Sequence, residues 1–291
     1  MKILDPGTET LSAAIAGDLV ALDEVLLAIQ PGIYNLAVRV LGHRDDAADA
    51  TQEILLKVVT HLGGFRAESA FATWVWRVAH NHLMTARTRS AEAPHVSLEG
   101  LAERLGLGVE LAAHLAQSQA APALLTPEDK LEARQMALAC TQTMLMTLDR
   151  EQRLIYVLDT VFDLPSKEAA AVVAITPEAY RQRLSRIRAR MDAFMARNCG
   201  LANRDAACTC ERQLPAARHA RSSGFAGKAP VMALHTQEMQ EAERHFAAFS
   251  RVSDAAAVFR AHPNYRAPEA MRAAIRAVLT QEGFMQREQP Q

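Results

Sequence analysis

The sequence predicts an all-α protein: two helical domains joined by a linker, the second carrying a helix-turn-helix, and a small helical extension at the C-terminal end. Three observations carry this. Apolar residues recur every three or four positions through most of the chain. Alanine, leucine and arginine are abundant while β-branched runs stay short. Glycine and proline gather at a few places that divide the helical blocks. The blocks cover residues 10–90, 127–197 and 231–285, separated by a linker over 91–126 and a cysteine-containing joint over 198–230. At 291 residues the chain is long enough for two small domains or more.

The first block opens with an amphipathic helix over Leu11–Gln30, its apolar stripe running from Leu11 and Ile15 to Leu26 and Ile29. Pro31-Gly32 is expected to break it, with a continuation over Ile33–Leu41 that stops at Gly42. Asp45 or Asp46 is expected to cap the next helix, whose buried stripe is Ala47, Ala50, Ile54, Val58 and Leu62. Asp46, Asp49 and Glu53 share its other face. Gly63-Gly64 ends it, and Ser69 is expected to cap an aromatic helix.

In the second block the spacing predicts helices over Glu128–Leu148, Glu151–Phe162 and Ser166–Val173, then one starting after Thr176. Thr176 suits the N-cap, Pro177 the first turn and Glu178 the positive end of the helix dipole. The linker is expected to hold a short helix around Val109–Gln117. The extension is read as Thr236–Val252, Asp254–Ala261 and Pro268–Gln281, closed by Gly283, after a joint at Gly224–Pro230.

Net charge is −1 and the pI about 6.8, so overall charge does not mark a nucleic-acid binder. The distribution does. Acids collect at Asp45, Asp46, Asp49 and Glu53, and arginines at Arg181, Arg183, Arg186, Arg188, Arg190 and Arg197. No cationic segment followed by an apolar run opens the chain, and no unbroken apolar stretch suggests a membrane span. The expectation is a cytoplasmic protein with no membrane partner. No glycine-rich phosphate loop, HExxH or nucleophile elbow is present, so no enzyme is expected.

The most informative stretch is Phe65–Arg89, FRAESAFATWVWRVAHNHLMTARTR. It holds both tryptophans of the chain and Phe65 and Phe71, among Arg66, Arg77, His80, His82, Arg87 and Arg89, with Glu68 as its one acid. Aromatic rings interleaved with cations suit unpaired nucleic acid: stacking is worth roughly 1–3 kcal/mol per base and the cations follow phosphates. Phe71 and Trp74 fall on a core stripe with Val75, Val78, Ala79 and Leu83. Thr73, Trp76, Arg77, His80 and Met84 form a second stripe, where Trp76 is expected at a working surface. In the last helix of the second block, Tyr180, Leu184, Ile187, Met191 and Phe194 point inward. Glu178, Arg181, Gln182, Ser185 and Arg188 point outward, as a recognition helix requires. Arg and Gln there can contact base edges, while Arg183, Arg186 and Arg190 can reach phosphates.

These residues resemble bacterial RNA polymerase sigma factors of the extracytoplasmic-function group. VRVLGHRDDAADATQEILLKVVTHLGGFRAESAFATWVWRVAHN is similar to the family's second conserved region, and LDREQRLIYVL with AITPEAYRQRLSRIRARM to its fourth. The resemblance covers roughly residues 10–197 and implies a promoter-recognition subunit without a catalytic step or required cofactor. It implies that Asp49, Gln52 and Glu53 dock on the β′ clamp helices of core RNA polymerase. Phe65, Arg66, Glu68 and Ser69 would hold a flipped base, and Thr73, Trp76, Arg77, His80 and Asn81 would line the strand-separation face. Glu178, Arg181, Gln182, Arg183, Ser185, Arg186 and Arg188 would read the upstream promoter element beside the β flap. An anti-sigma factor is a further partner the group allows. His80 stands where the family usually has Arg, Ala174 where a turn glycine is common, and Pro165 where a capping Ser or Thr is usual. The competing reading is a helix-turn-helix regulator of duplex DNA that works without polymerase; it explains Thr176–Arg197 but leaves Asp49–Glu53 and Trp76 unexplained.

Simple members of the group end soon after the fourth region, whereas this chain continues. The extension is expected to regulate the rest. Cys199, Cys208, Cys210 and His219 supply the donor set of a closed zinc site, at spacings that match no standard knuckle. A redox pair is disfavoured by strain in a Cys-x-Cys disulfide. Free thiols in a loop are the simplest reading, and Cys140 reads as core.

Overall fold

The computed structural model describes residues 3–86, 97–117, 125–223, 236–249 and 255–281. Among them there are helices and turns but no strand. The chain divides into two compact units: Met1–Glu92 with Val157–Arg181 and Asn264–Gln291, and Ala93–Tyr156 with Gln182–Pro263.

The first unit begins with α1 (Thr8–Ile15) and α2 (Leu19–Leu41). The break between them falls at Ala16-Gly17, with Gly17 at φ +97° and Asp18 accepting from the Val20 and Ala21 amides at 2.8 and 3.2 Å. The expected break at Pro31-Gly32 does not occur, and α2 runs through both residues. Proline removes one donor, but burial of Ile29, Ile33, Leu36 and Ala37 holds the helix, and Asn35 Nδ2 donates to the Pro31 carbonyl at 2.9 Å. Gly32 is instead a packing notch: a Cβ there would lie 2.8 Å from Ile3 Cγ1 and 3.4 Å from the Trp76 ring. Gly42 closes α2 at φ 78°, as expected. By length and composition α2 is apolar enough to cross a membrane, and 56% of its most apolar window is buried as core.

Helix α3 (Arg44–His61) starts from His43, so Asp45 and Asp46 occupy its first turn rather than its cap. There they face the helix dipole, which needs no cap bond to favour them. The stripe Ala47, Ala50, Ile54, Val58 and Leu62 is buried as expected. A 3-10 turn (Leu62–Gly64) leads to α4 (Phe71–Thr85). Ala70, not Ser69, is the residue before α4; the Ser69 hydroxyl donates to the Ala70 carbonyl at 3.4 Å.

Helix α5 (Leu98–Gln117) belongs to the second unit and is longer than the short helix expected at Val109–Gln117. Of its glycines, Gly108 serves a close contact. Gln213 packs where a side chain at Gly108 would stand, donates to the Leu105 carbonyl at 2.8 Å, and lies 3.3 Å from the Cys208 sulfur. Helix α6 (Pro127–Met146) starts with a capping box between Thr126 and Asp129. Helices α7 (Arg150–Thr160), α8 (Ser166–Val172) and α9 (Pro177–Asn198) follow the expected spans. Arg153 donates to the Leu145 and Leu148 carbonyls at 2.9 and 2.8 Å, closing the C-terminal end of α6 with a cation.

The segment read as a joint contains a helix, α10 (Cys210–Ser222), capped by Thr209 and packed on α5 and α6. Arg218 reaches Asp129 and Glu132 on α6, and Arg221 also reaches Glu132. Burial pushes the Glu132 carboxyl up, but the two guanidiniums outweigh it and hold it below the usual carboxylate range. Helices α11 (Thr236–Phe249) and α12 (Ala255–Arg260) complete the second unit, with Tyr156 edge-on to Phe259 at 5.3 Å and the Thr141 hydroxyl 2.6 Å from His262 Nε2. Helix α13 (Ala270–Gln281) returns to the first unit. Arg87, Arg89, Gly224–Pro230 and Gly283 lie outside the described residues.

Candidate nucleic-acid interface

Phe71 is buried, as its stripe requires, while Trp74 is only half-buried. Phe65, Phe71 and Trp74 form a ring cluster with centroids 5.4 to 5.9 Å apart. The cluster anchors the loop before α4 through Phe65 and leaves Arg66 and Glu68 exposed beside half-buried Ser69. Ala67, between them, is left-handed at φ 54°. Arg77 and Asn81 are exposed, and His80 is half-buried with its Nδ1 3.0 Å from Asn81 Oδ1.

Trp76 and Thr73 do not lie on that surface. Trp76 is 2% and Thr73 6% exposed. The Trp76 ring meets Phe162 edge to face at 5.0 Å and reaches the Gly32 notch, and α8 packs along α4. The expected stripe is therefore split. A large ring beside an apolar partner gains more by burial than by display. No local pattern points to that partner, because Phe162 is remote in the chain.

On α3, Asp49 and Glu53 are exposed and Gln52 is half-buried, so all three predicted docking residues share an accessible acidic face. His82 ties this helix to α4. Its Nδ1 lies 2.8 Å from Lys57 Nζ and its Nε2 3.8 Å from a Glu53 oxygen. Burial first, then the Lys57 charge, lowers the His82 pKa against the opposing pull of Glu53. Neutral His82 thus accepts from Lys57 and turns its Nε2–H toward Glu53.

Along α9, Tyr180, Leu184, Ile187, Met191 and Phe194 are buried, and Glu178, Arg181, Gln182, Arg183, Ser185, Arg186 and Arg188 are exposed. Thr176 accepts from the Ala179 amide at 3.2 Å, as its capping role requires. Arg181 pairs with Glu178 at 2.9 Å and Arg183 with Glu151, both at exposed positions where such pairs are weak. Ala174, in the turn before α9, adopts φ 56°, the left-handed conformation a glycine would take without cost.

The tail adds residues that sequence reasoning missed. Asn35 on α2 holds the backbone of Tyr265 on both sides: Nδ2 donates to its carbonyl and Oδ1 accepts from its amide, each at 2.9 Å. Arg39, 1% exposed, donates to Asn35 and lies 4.9 Å from the Tyr265 ring centroid; Arg44 lies 5.3 Å from the same centroid. Arg276 of α13 pairs with Asp23 of α2, and Met271 lies 3.6 Å from Gln30 Nε2. A single arginine amid the apolar run YNLAVRVL was the available signal. His219, grouped with the cysteines by spacing, is exposed in the last turn of α10 and stays apart from them.

Comparison with known proteins matches residues 26–92 to Sigma-70 region 2 and residues 138–191 to Sigma-70, region 4. The RNA polymerase sigma-H factor of Pseudomonas aeruginosa is 37% identical over 81 residues, 26% of this chain and 42% of that protein. The ECF RNA polymerase sigma factor SigM of Mycobacterium tuberculosis is 30% identical over 91 residues, 31% of this chain and 46% of that protein. The match therefore spans less than half the length of each of these two relatives. The ECF RNA polymerase sigma factor SigW of Bacillus subtilis is 25% identical over 170 residues, 58% of this chain and 86% of its own length. The chain thus carries sigma-70 regions 2 and 4, and it is similar to sigma factors of the extracytoplasmic-function group.

Proposed function

We propose that the chain binds core RNA polymerase and directs promoter recognition and opening. The observation that carries this is the pairing of two exposed surfaces on neighbouring helices, an acidic one on α3 and an aromatic-anchored basic one at the start of α4. Asp49, Gln52 and Glu53 dock on basic clamp helices of the β′ subunit. Phe65, Arg66, Glu68 and Ser69 hold a base that has left the stack, with Arg77, His80 and Asn81 along the separated strand. Unstacking costs a few kcal/mol and is offset by stacking and hydrogen bonds in the receiving loop. The exposed arginines and Gln182 of α9 read the upstream element in duplex form. Binding energy drives the opening, and no catalytic step is assigned to the chain. A duplex-only regulator accounts for α9 but gives the acidic face of α3 no task.

The test is reconstituted transcription with core polymerase on a promoter library. Sequence-dependent transcripts that require both components support the proposal. Duplex binding by the chain with no transcripts and no co-purification with core polymerase overturns it.

A further inference from the structure

All four cysteines of the chain, Cys140, Cys199, Cys208 and Cys210, line one cavity of about 20 Å³ in the second unit. They come from separate parts of the sequence: Cys140 from the middle of α6, Cys199 from just beyond α9, Cys208 from the loop before α10 and Cys210 from its first residue. The remaining wall is mainly apolar, including Leu105, Ala137 and Met144. The loop between α9 and α10 is shaped to bring its sulfurs together. The Gly200 amide donates to the Cys208 carbonyl at 2.8 Å, and a Cβ on Gly200 would lie 3.0 Å from that same oxygen. Only glycine permits this approach.

The four thiols are free, without disulfides. Burial pushes all of them up, Cys140 to about 12, so they are poor nucleophiles and poor redox sensors as they stand. Four neutral thiols around one small apolar cavity match the ligand set of a structural tetrahedral metal centre, with metal–sulfur bonds of about 2.3 Å. No three His, Cys, Asp or Glu side chains among the described residues already stand at ligand geometry, so binding draws the sulfurs inward.

We propose that Cys140, Cys199, Cys208 and Cys210 form a four-thiolate site for a soft divalent cation of the zinc class, which clasps the base of the tail to α6. The metal takes the place of four thiol protons, which leave to solvent, and no electrons move. The resulting centre carries two net negative charges. Arg104 on α5 favours that charge through its electrostatic interaction with Cys140, and Glu211 acts on Cys210 with the opposite sign. His219 takes no part. This inference stands apart from the transcription proposal, because its readouts need neither polymerase nor DNA.

The reduced, chelator-treated full chain is titrated with Co²⁺, then with Zn²⁺. One equivalent of Co²⁺ should give the sulfur-to-metal charge-transfer and tetrahedral d–d bands, and Zn²⁺ should abolish them. Zn²⁺ should also protect four thiols from a thiol reagent, and calorimetry in buffers of different ionisation enthalpy should report proton release. Cys140→Ser should weaken binding on the order of 100-fold or more, while His219→Ala leaves it unchanged. Should Cys140→Ser fail to fold, native mass spectrometry of the unmodified chain, showing one added zinc and a raised melting temperature, carries the test alone. Absence of a stoichiometric thiolate spectrum, indifference to Cys140→Ser, equal loss with His219→Ala, or a disulfide among these residues that forms in the presence of zinc would each overturn the proposal.

Discussion

Trp76 and Phe162 meet edge to face, ring centroids 5.0 Å apart and planes at 73°. Each ring is no more than 2% exposed. In this conformation Trp76 offers no ring face to a DNA strand. Phe162→Ala should cost about 3–5 kcal/mol of stability. It should also shift Trp76 emission to the red when measured in a Trp74→Phe background. Unchanged emission with normal folding would contradict the packing.

Asn35 and Tyr265 join the tail to α2 through two backbone-directed hydrogen bonds, with Arg39 beneath the ring. Tyr265→Ala removes the ring and leaves the buried Arg39 without it, so a loss of about 3–5 kcal/mol is expected. Amide exchange over residues 264–281 should rise well above that of α2 and α3. Equal exchange in the two proteins would show that this grip is dispensable.

Ala174 holds a left-handed φ of 56°. An L-residue there carries about 1–2 kcal/mol of strain, which glycine relieves against its greater unfolded-chain entropy. Ala174→Gly should therefore stabilise the chain by about 0.5–1 kcal/mol in denaturant unfolding. Destabilisation would contradict the turn geometry.

His82 gives a pH dependence of defined sign. Burial and Lys57 lower its pKa below the ordinary value near 6.5, against the pull of Glu53. Between the folded value and about 6.5 the unfolded chain holds more protons. The contribution is thus complete above pH 6.5 and lost as pH falls through the folded value. His82→Asn, which retains an acceptor for Lys57, should flatten that part of the stability curve. An unchanged slope would assign it elsewhere.

Many local signals are legible within a single helix, although the caps expected at Asp45 or Asp46 and at Ser69 fall instead at His43 and Ala70. The spans of α6 to α9, the Thr176 cap, the inward stripe of α9 and the Gly42 stop all follow from periodicity and capping chemistry. Of the three acids read onto one face of α3, Asp49 and Glu53 are exposed while Asp46 is buried. Errors arose where a distant partner decided the outcome. Pro31 reads as a breaker, yet tertiary burial keeps α2 intact. Gly106 and Gly108 read as linker, yet Gly108 makes room for Gln213. Trp76 reads as a working surface because Phe162 is far along the chain.

The most direct test of the central claim is permanganate reactivity of non-template thymines at a promoter selected from the library, with core polymerase and this chain together and separately. Reactive thymines only when both are present, diminished by the combined changes Asp49→Ala and Glu53→Ala, are the predicted result. A promoter that stays unreactive with both present, while the chain alone binds its duplex, would contradict the account.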